Sequence, residues 1–185
     1  MIRLLPAGLY TEMPWKNGQG VTREVARYPE AGEYDWRISL ATIRQPGPFS
    51  AFPGYLRNIS VLEGEGMYLT IDGQRSALIA PFQALGFNGA SGVSCEIFGG
   101  PLLDFNVIYR EAALRATVSW CGAGTWSHQG GLRVLFNAGP ALRVNAGDRH
   151  YLLEHYDSLL VDEAVALVIQ DSPGARLARI TLLTL

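Results

Sequence analysis

Apolar and polar residues alternate with a period of two in one segment of this chain after another, and turn residues break the alternation roughly every eight to twelve residues. Between Asp35 and Arg44, Trp36, Ile38, Leu40 and Thr42 would share one face of an extended strand, with Arg37, Ser39, Ala41 and Ile43 on the other. Leu56 to Leu62 follows. Met67, Leu69 and Ile71 then alternate with Tyr68 and Thr70 before Asp72-Gly73, and Val93 to Ile97 and Phe105 to Tyr109 repeat the pattern. A helix needs a period near 3.6, so these segments are read as strands. The punctuation agrees. Gln45-Pro46-Gly47-Pro48, Pro53-Gly54, Asn88-Gly89 and Gly99-Gly100-Pro101 are turn sequences, and 21 glycines with 10 prolines in 185 residues are more than a helical bundle tolerates. The expectation is an all-β sandwich or barrel with very little helix. Glu111 to Ala116 is the best short helical stretch, at a boundary between halves.

The second half echoes the first. Val61 to Gly73 aligns without gaps against Val134 to Ala146, with Val61/Val134, Leu62/Leu135, Gly66/Gly139, Leu69/Leu142 and Ile71/Val144 agreeing in type. An apolar pair, a glycine turn and an alternating strand in one order suggest the same hairpin used twice. Two small barrels on one plan would fit the length, with Gly122 to Gly131 as a loop.

Charge excludes several classes of partner. A net charge of −2 and a pI near 5.9 leave no basic footprint for nucleic acid or an anionic membrane. No stretch reaches the roughly 18 apolar residues of a membrane span, and Met1 to Pro6 lacks the form of a secretory signal. Cys95 and Cys121 are too few for a disulfide framework. A cytoplasmic protein is expected. Edge strands carrying little charge leave room for a homodimer.

Three segments could carry chemistry. In Pro14-Trp15-Lys16-Asn17-Gly18-Gln19-Gly20-Val21-Thr22-Arg23-Glu24, the only lysine follows an aromatic residue and precedes a glycine-flanked turn. An ammonium beside an amide can hold a carboxylate; a plain surface loop with a stacked Trp is the alternative. Gly18-x-Gly20 meets neither the phosphate-loop nor the dinucleotide pattern. Second, Arg57 shares a strand face with Ile59 and Val61, and Arg37 with Ala41 and Ile43. If these faces point inward, each guanidinium needs a partner. That partner is an internal carboxylate such as Asp104 or Glu63, or an anionic ligand at the barrel mouth. Third, Asp104 and Asn106 share one face of a strand, where they can grip a polar ligand group or pin a turn. Three histidines without His-x-His, Cys-x-x-Cys or His-Glu-x-x-His spacing point away from a metal site.

Taken together the chain resembles the HutD/Ves family. The resemblance is carried by Met13-Pro14-Trp15-Lys16-Asn17-Gly18 with Gly20 and Thr22-Arg23-Glu24, by Asp35-Trp36-Arg37-Ile38-Ser39, and by Gly47-Pro48-Phe49-Ser50-Ala51-Phe52-Pro53-Gly54-Tyr55 with Arg57. Leu62-Glu63-Gly64, Gly99-Gly100-Pro101, Asp104-Phe105-Asn106 and Arg110 complete it. Gln19 stands where the family usually has glycine, and beyond residue 111 only length and strand pattern match.

The resemblance implies two cupin-like, jelly-roll barrels in one chain (a bicupin), with a first barrel over 1–110 and a smaller second barrel over 111–185, an exchange of strands between the two being left open. It implies no metal and no cofactor, because Phe49 to Tyr55 and Pro81 to Phe87 lack the histidines of metal-binding cupins. It further implies a regulator of histidine utilisation that binds a small carboxylate metabolite, urocanate or a formylated glutamate derivative. The expected ligand-binding residues are Lys16, Asn17, Arg37, Arg57, Asp104, Asn106, Trp15 and Phe49. The alternative is a metal-independent isomerase or amidohydrolase with Asp104, Glu63 or Lys16 as acid or base.

Overall fold

The computed structural model describes residues 1–15, 18, 20–127 and 130–185, and its regular structure is almost wholly strand. The strands of the N-terminal part are β1 (Ile2–Leu5), β2 (Thr11–Pro14), β3 (Gly20–Tyr28), β4 (Trp36–Ile43), β5 (Gly47–Pro48), β6 (Tyr55–Glu63), β7 (Gly66–Ile71), β8 (Gln74–Arg75), β9 (Leu85–Asn88), β10 (Val93–Phe98) and β11 (Leu102–Arg110). The remainder holds β12 (Leu114–Cys121), β13 (Gly124–Trp126), β14 (Leu132–Asn137), β15 (Leu142–Ala146), β16 (Arg149–Leu153), β17 (Ser158–Val161), β18 (Leu167–Ile169) and β19 (Leu177–Thr184). One 3-10 turn, Ala7–Leu9, is the helical content among the described residues. None of their helices is long and apolar enough to cross a membrane.

The chain divides into two units, Thr11–Leu114 and Met1–Tyr10 with Arg115–Leu185. In the first unit one sheet runs β2-β3-β4-β11-β6-β9 and the other β5-β10-β7-β8. In the second the orders are β1-β17-β14-β19-β12 and β13-β18-β15-β16. Each run of eight strands, β4 to β11 and β12 to β19, therefore makes the same two four-stranded arrangements. β2 and β3 extend the first unit beside β4, and β1 extends the second beside β17. Among the described residues no sheet closes on itself.

Local chemistry explains the pattern. Asp72 and Gly73 both take positive φ, 49° and 82°, as a two-residue hairpin between Ile71 and Gln74 requires. Phe82 and Tyr156 sit in the left-handed region at φ 62° and 68°, in corresponding places before β9 and β17. Each backbone N–H reaches back to a strand of its own unit, Phe82 to the Val61 carbonyl at 2.9 Å and Tyr156 to Asn137 at 2.6 Å. An aromatic residue rarely adopts this conformation, so its presence in both units marks a shared constraint.

Two expectations need correction. Glu111 to Ala116 is no helix: residues 111–113 form a turn, and β12 begins at Leu114. A six-residue helix gains too few hydrogen bonds to offset nucleation, while a strand gains pairing with β19. The gapless alignment of Val61 with Val134 also slips by one residue. Val61 belongs to the apolar core of the first unit, whereas on β14 it is Leu135, and not Val134, that joins the core of the second. Both faces of these strands are buried, so hydropathy could not set the register, and a one-residue slip exchanges the faces.

Candidate functional site

The first unit gathers its polar interior residues on three neighbouring strands. β4 and β6 flank β11, and the register sets Arg37, Ile108 and Arg57 in one row across them. Ser39, Asn106 and Ile59 form the next row, and Ala41, Asp104 and Val61 the one after, beside an irregularity between Leu103 and Asp104. Residues directly opposite on paired strands share a face. The face that alternation assigned to Arg37, Ser39, Ala41 and Ile43 thus meets Asp104, Asn106 and Ile108 at a cavity of about 550 Å³. Trp15, Thr22, Phe49, Phe52 and Arg57 also line it. Ligand sites commonly combine such a volume with aromatic walls and a few polar groups.

Arg57 is the central cation. It is only 7% exposed, and its Nη2 donates to Asn106 Oδ1 at 2.8 Å. Nη1 donates to the Ser50 carbonyl at 3.4 Å, and the buried Nε has no partner among the described residues. The rings of Phe49, Phe52 and Phe87 surround the guanidinium, their centroids 5.3, 5.3 and 5.0 Å from its carbon. Such faces attract a cation but offer no charge to balance it. Burial draws the Arg57 pKa below its usual value, and the charge of Asp104 opposes this.

Asp104 does not pair with Arg57 directly. Asn106 stands between them, accepting from Arg57 and donating from Nδ2 to Asp104 Oδ1 at 2.6 Å. The amide is thereby held in one orientation. Asp104 is wholly enclosed, and burial pushes its carboxyl up to about 7, against the opposing effects of Arg57, the Ala41 backbone and Asn106. Glu63, the other carboxylate considered for Arg57, lies exposed at the end of β6 and does not line the cavity.

Arg37 is committed elsewhere. Its Nε donates to Glu24 Oε2 of β3 at 2.7 Å, with both side chains mostly buried. Trp15 is fixed by three bonds: its backbone N–H donates to the Gly20 carbonyl at 2.9 Å, its carbonyl accepts from the Gly18 N–H at 2.9 Å, and its indole N–H donates to Thr22 Oγ1 at 2.8 Å. Phe49 is tied to β10 through its N–H and the Val93 carbonyl, 2.8 Å apart.

Six of the eight residues expected at the site therefore line one cavity: Trp15, Arg37, Phe49, Arg57, Asp104 and Asn106. Lys16 and Asn17 lie outside the described residues. Phe52, Phe87, Thr22 and Ser39 complete the arrangement without having been singled out as ligand residues. Phe52 and Phe87 fall in the aromatic stretches already noted, but only the tertiary structure brings them to Arg57.

The other reactive side chains have local roles. Cys95 and Cys121 are both unpaired; burial pushes the Cys95 thiol up to about 12 and raises Cys121 as well. His150 contacts Asn145 Oδ1 at 2.8 Å and His155 the Gly139 carbonyl at 3.0 Å. His128 is outside the described residues, among which no three His, Cys, Asp or Glu side chains converge as a metal set. The second unit has a contrasting interior. Arg133, 1% exposed, gives Nη1 and Nη2 to the carbonyls of Trp126, Glu163 and Val165, amid a core of Leu, Val, Ile and Ala, while its Nε, like that of Arg57, has no partner among the described residues.

Comparison with known proteins extends the resemblance past the first half. The HutD family profile matches residues 7–178. An uncharacterised 21.2 kDa protein in the hutC 3′ region of Pseudomonas putida is 41% identical over 178 residues, covering 91% of this chain and 93% of that one. Protein Ves of Escherichia fergusonii is 34% identical over 119 residues, 63% of this chain and 60% of its own. Two solved structures are similar along their lengths. A conserved protein of unknown function from Pseudomonas aeruginosa PAO1 has a TM-score of 0.93 at 34% identity, covering 98% of both chains. HutD from Pseudomonas fluorescens SBW25 has a TM-score of 0.85 at 33% identity, covering 100% of both. At the level of fold alone, a cupin 2 conserved barrel domain protein from Leptotrichia buccalis, 11% identical, has a TM-score of 0.59 over 94% of this chain and 92% of that one. The profile match across nearly the whole chain, together with the P. putida relative, places it: this protein belongs to the HutD family.

Proposed function

We propose that the chain is a metal-independent, two-barrel cupin that binds a small carboxylate in its first unit and thereby moderates histidine utilisation. The observation that carries the reading is Arg57, buried within an aromatic cage with its Nε unpartnered among the described residues, at a cavity of about 550 Å³. A buried guanidinium without a carboxylate partner is costly, and a ligand carboxylate supplies what is missing through the bidentate geometry Arg favours. Asp104 and Asn106 then hold the polar end of the ligand, while Trp15 and Phe49 cover its body, with Lys16 and Asn17 as further anchors. The same strand order in both units supports reading each as a jelly-roll barrel.

The pathway reading draws on relatives described by the hutC 3′ region and as HutD. Urocanate and formylglutamate are the acids to test, in keeping with a cytoplasmic protein. Each is expected to raise the melting temperature of the wild-type protein, since a ligand that binds only the folded state stabilises it. Arg57→Ala should fold and lose that shift. If the variant unfolds, Arg57 is a structural residue; if no acid shifts the wild type at millimolar concentration, the binding reading fails.

A second reading, a metal-independent enzyme on a small carboxylic acid, is favoured by one observation. A carboxyl with a pKa near 7 is suited to proton transfer at neutral pH. Product formation from either acid, abolished by Asp104→Asn, would select it over the regulator.

A further inference from the structure

We infer that the cavity takes up a proton together with its carboxylate, and that Asp104, coupled to Arg57 through Asn106, receives it, so that affinity for an anion depends on pH across the neutral range. This rests on the carboxylate reading of the cavity and concerns how that same site is regulated.

The geometry requires the coupling. Among the described residues Arg57 is the cation serving both the cavity and Asp104: Nη2 reaches Asn106 Oδ1 at 2.8 Å, and Asn106 Nδ2 reaches Asp104 Oδ1 at 2.6 Å. Asp104 is 2% exposed and Asn106 5%, so water does little to screen them. The other groups around Asp104 do not compensate it. From β4, Arg37 is paired with Glu24 of β3, and Ala41 offers a neutral backbone N–H. From β10, the Cys95 thiol is protonated well beyond neutral pH, and Glu96 is engaged with Arg75 on the surface. Tyr34, before β4, acts on Arg57 rather than on Asp104, and burial raises its pKa so that it stays neutral.

A carboxylate docked on Arg57 takes the charge that Asp104 relied on and adds a negative charge nearby. Two carboxylates then share one guanidinium in an enclosure of low dielectric, where like charges force one of them to protonate. The ligand, drawn onto the unpartnered Nε, keeps its charge, and Asp104 binds a proton from solvent. The free carboxyl titrates near 7, so binding raises its pKa further. Affinity is therefore greatest below that pH and falls as pH rises through it, until the bound form also ionises.

Benzoate is a suitable probe, because its carboxyl stays ionised from pH 6 to 8.5 and it carries no second titrating group. Isothermal titration calorimetry of the wild-type protein should give a Kd about tenfold weaker at pH 8.5 than at pH 6. Repeating it at pH 7.5 in phosphate and in Tris, whose ionisation enthalpies differ, should report net proton uptake. Asp104→Asn should bind with a Kd independent of pH and with no proton uptake, which also separates Asp104 from the histidines. Should that variant fail to fold, the carbon-13 carboxyl titration of Asp104 in the wild type must move upward on saturation with benzoate. Binding with neither pH dependence nor proton uptake overturns the inference and leaves the carboxylate site standing. No binding of benzoate, urocanate or formylglutamate at any pH overturns both.

Discussion

At the scale of single residues, the molecule places a charge where solvent cannot reach it. Asp104 has a pKa raised to about 7 from the ordinary 3.8, chiefly by burial. Between about pH 4 and 7 the unfolded chain has released this proton while the folded chain still holds it. Its contribution to stability is full below about pH 4, declines as pH rises through 7, and then levels off. A difference of about three pH units corresponds to about 4 kcal/mol. Urea unfolding should show the wild type losing stability between pH 5 and 8, and Asp104→Asn should remove most of that loss. Equal slopes in the two proteins would mean that Asp104 is ionised throughout. Arg57 and Asp104 were both recognisable beforehand, because charged residues interrupt apolar alternation on strands. Their connection was not. Either a carboxylate or a ligand could have met Arg57, and the side chain it reaches is Asn106, 49 residues away in sequence.

At the scale of elements, the β2–β3 hairpin positions one wall of the cavity. A Cβ at Gly20 would stand 2.5 Å from the Thr42 carbonyl and 2.8 Å from the Trp15 ring. Gly20→Ala must therefore displace Trp15 or part β3 from β4. A loss of about 1–3 kcal/mol in stability is expected, with weaker benzoate binding; a variant that binds and melts like the wild type would remove Trp15 from the site. Gly64, at φ 101°, carries a second constraint, since a Cβ there would lie 2.9 Å from that of Leu102. Gly64→Ala should destabilise by a similar amount, measured by thermal melting, without altering ligand specificity. Strands and turns were the most legible level of all. Alternation located β4, β6, β7, β10 and β11, and Asp72-Gly73 announced its own hairpin. Glu111 to Ala116 misled because its helix-forming residues are overridden by pairing with β19.

At the scale of the whole molecule, β1 lies beside β17, between residues more than 150 positions apart. Asp157 strengthens the attachment by accepting the Ala7 N–H at 2.8 Å, while the Tyr10 hydroxyl donates to the Tyr156 carbonyl at 2.6 Å. Deleting residues 1–10 should speed hydrogen exchange at Ser158–Val161 and leave Tyr55–Glu63 protected. Faster exchange in both segments would show that the two units do not respond separately.

The sequence by itself determined the all-β character, five strands of the first unit with several of their turns, the aromatic and charged residues available to a site, and the family. These depend on local periodicity and on residue types, which a linear chain displays directly. Only the tertiary structure decided that the inward faces of β4, β6 and β11 meet around one cavity, that Asn106 stands between Arg57 and Asp104, and that Leu135 rather than Val134 faces the core of its unit. Each of these depends on register between strands distant in sequence, where a shift of one residue exchanges the two faces and leaves the local pattern unchanged.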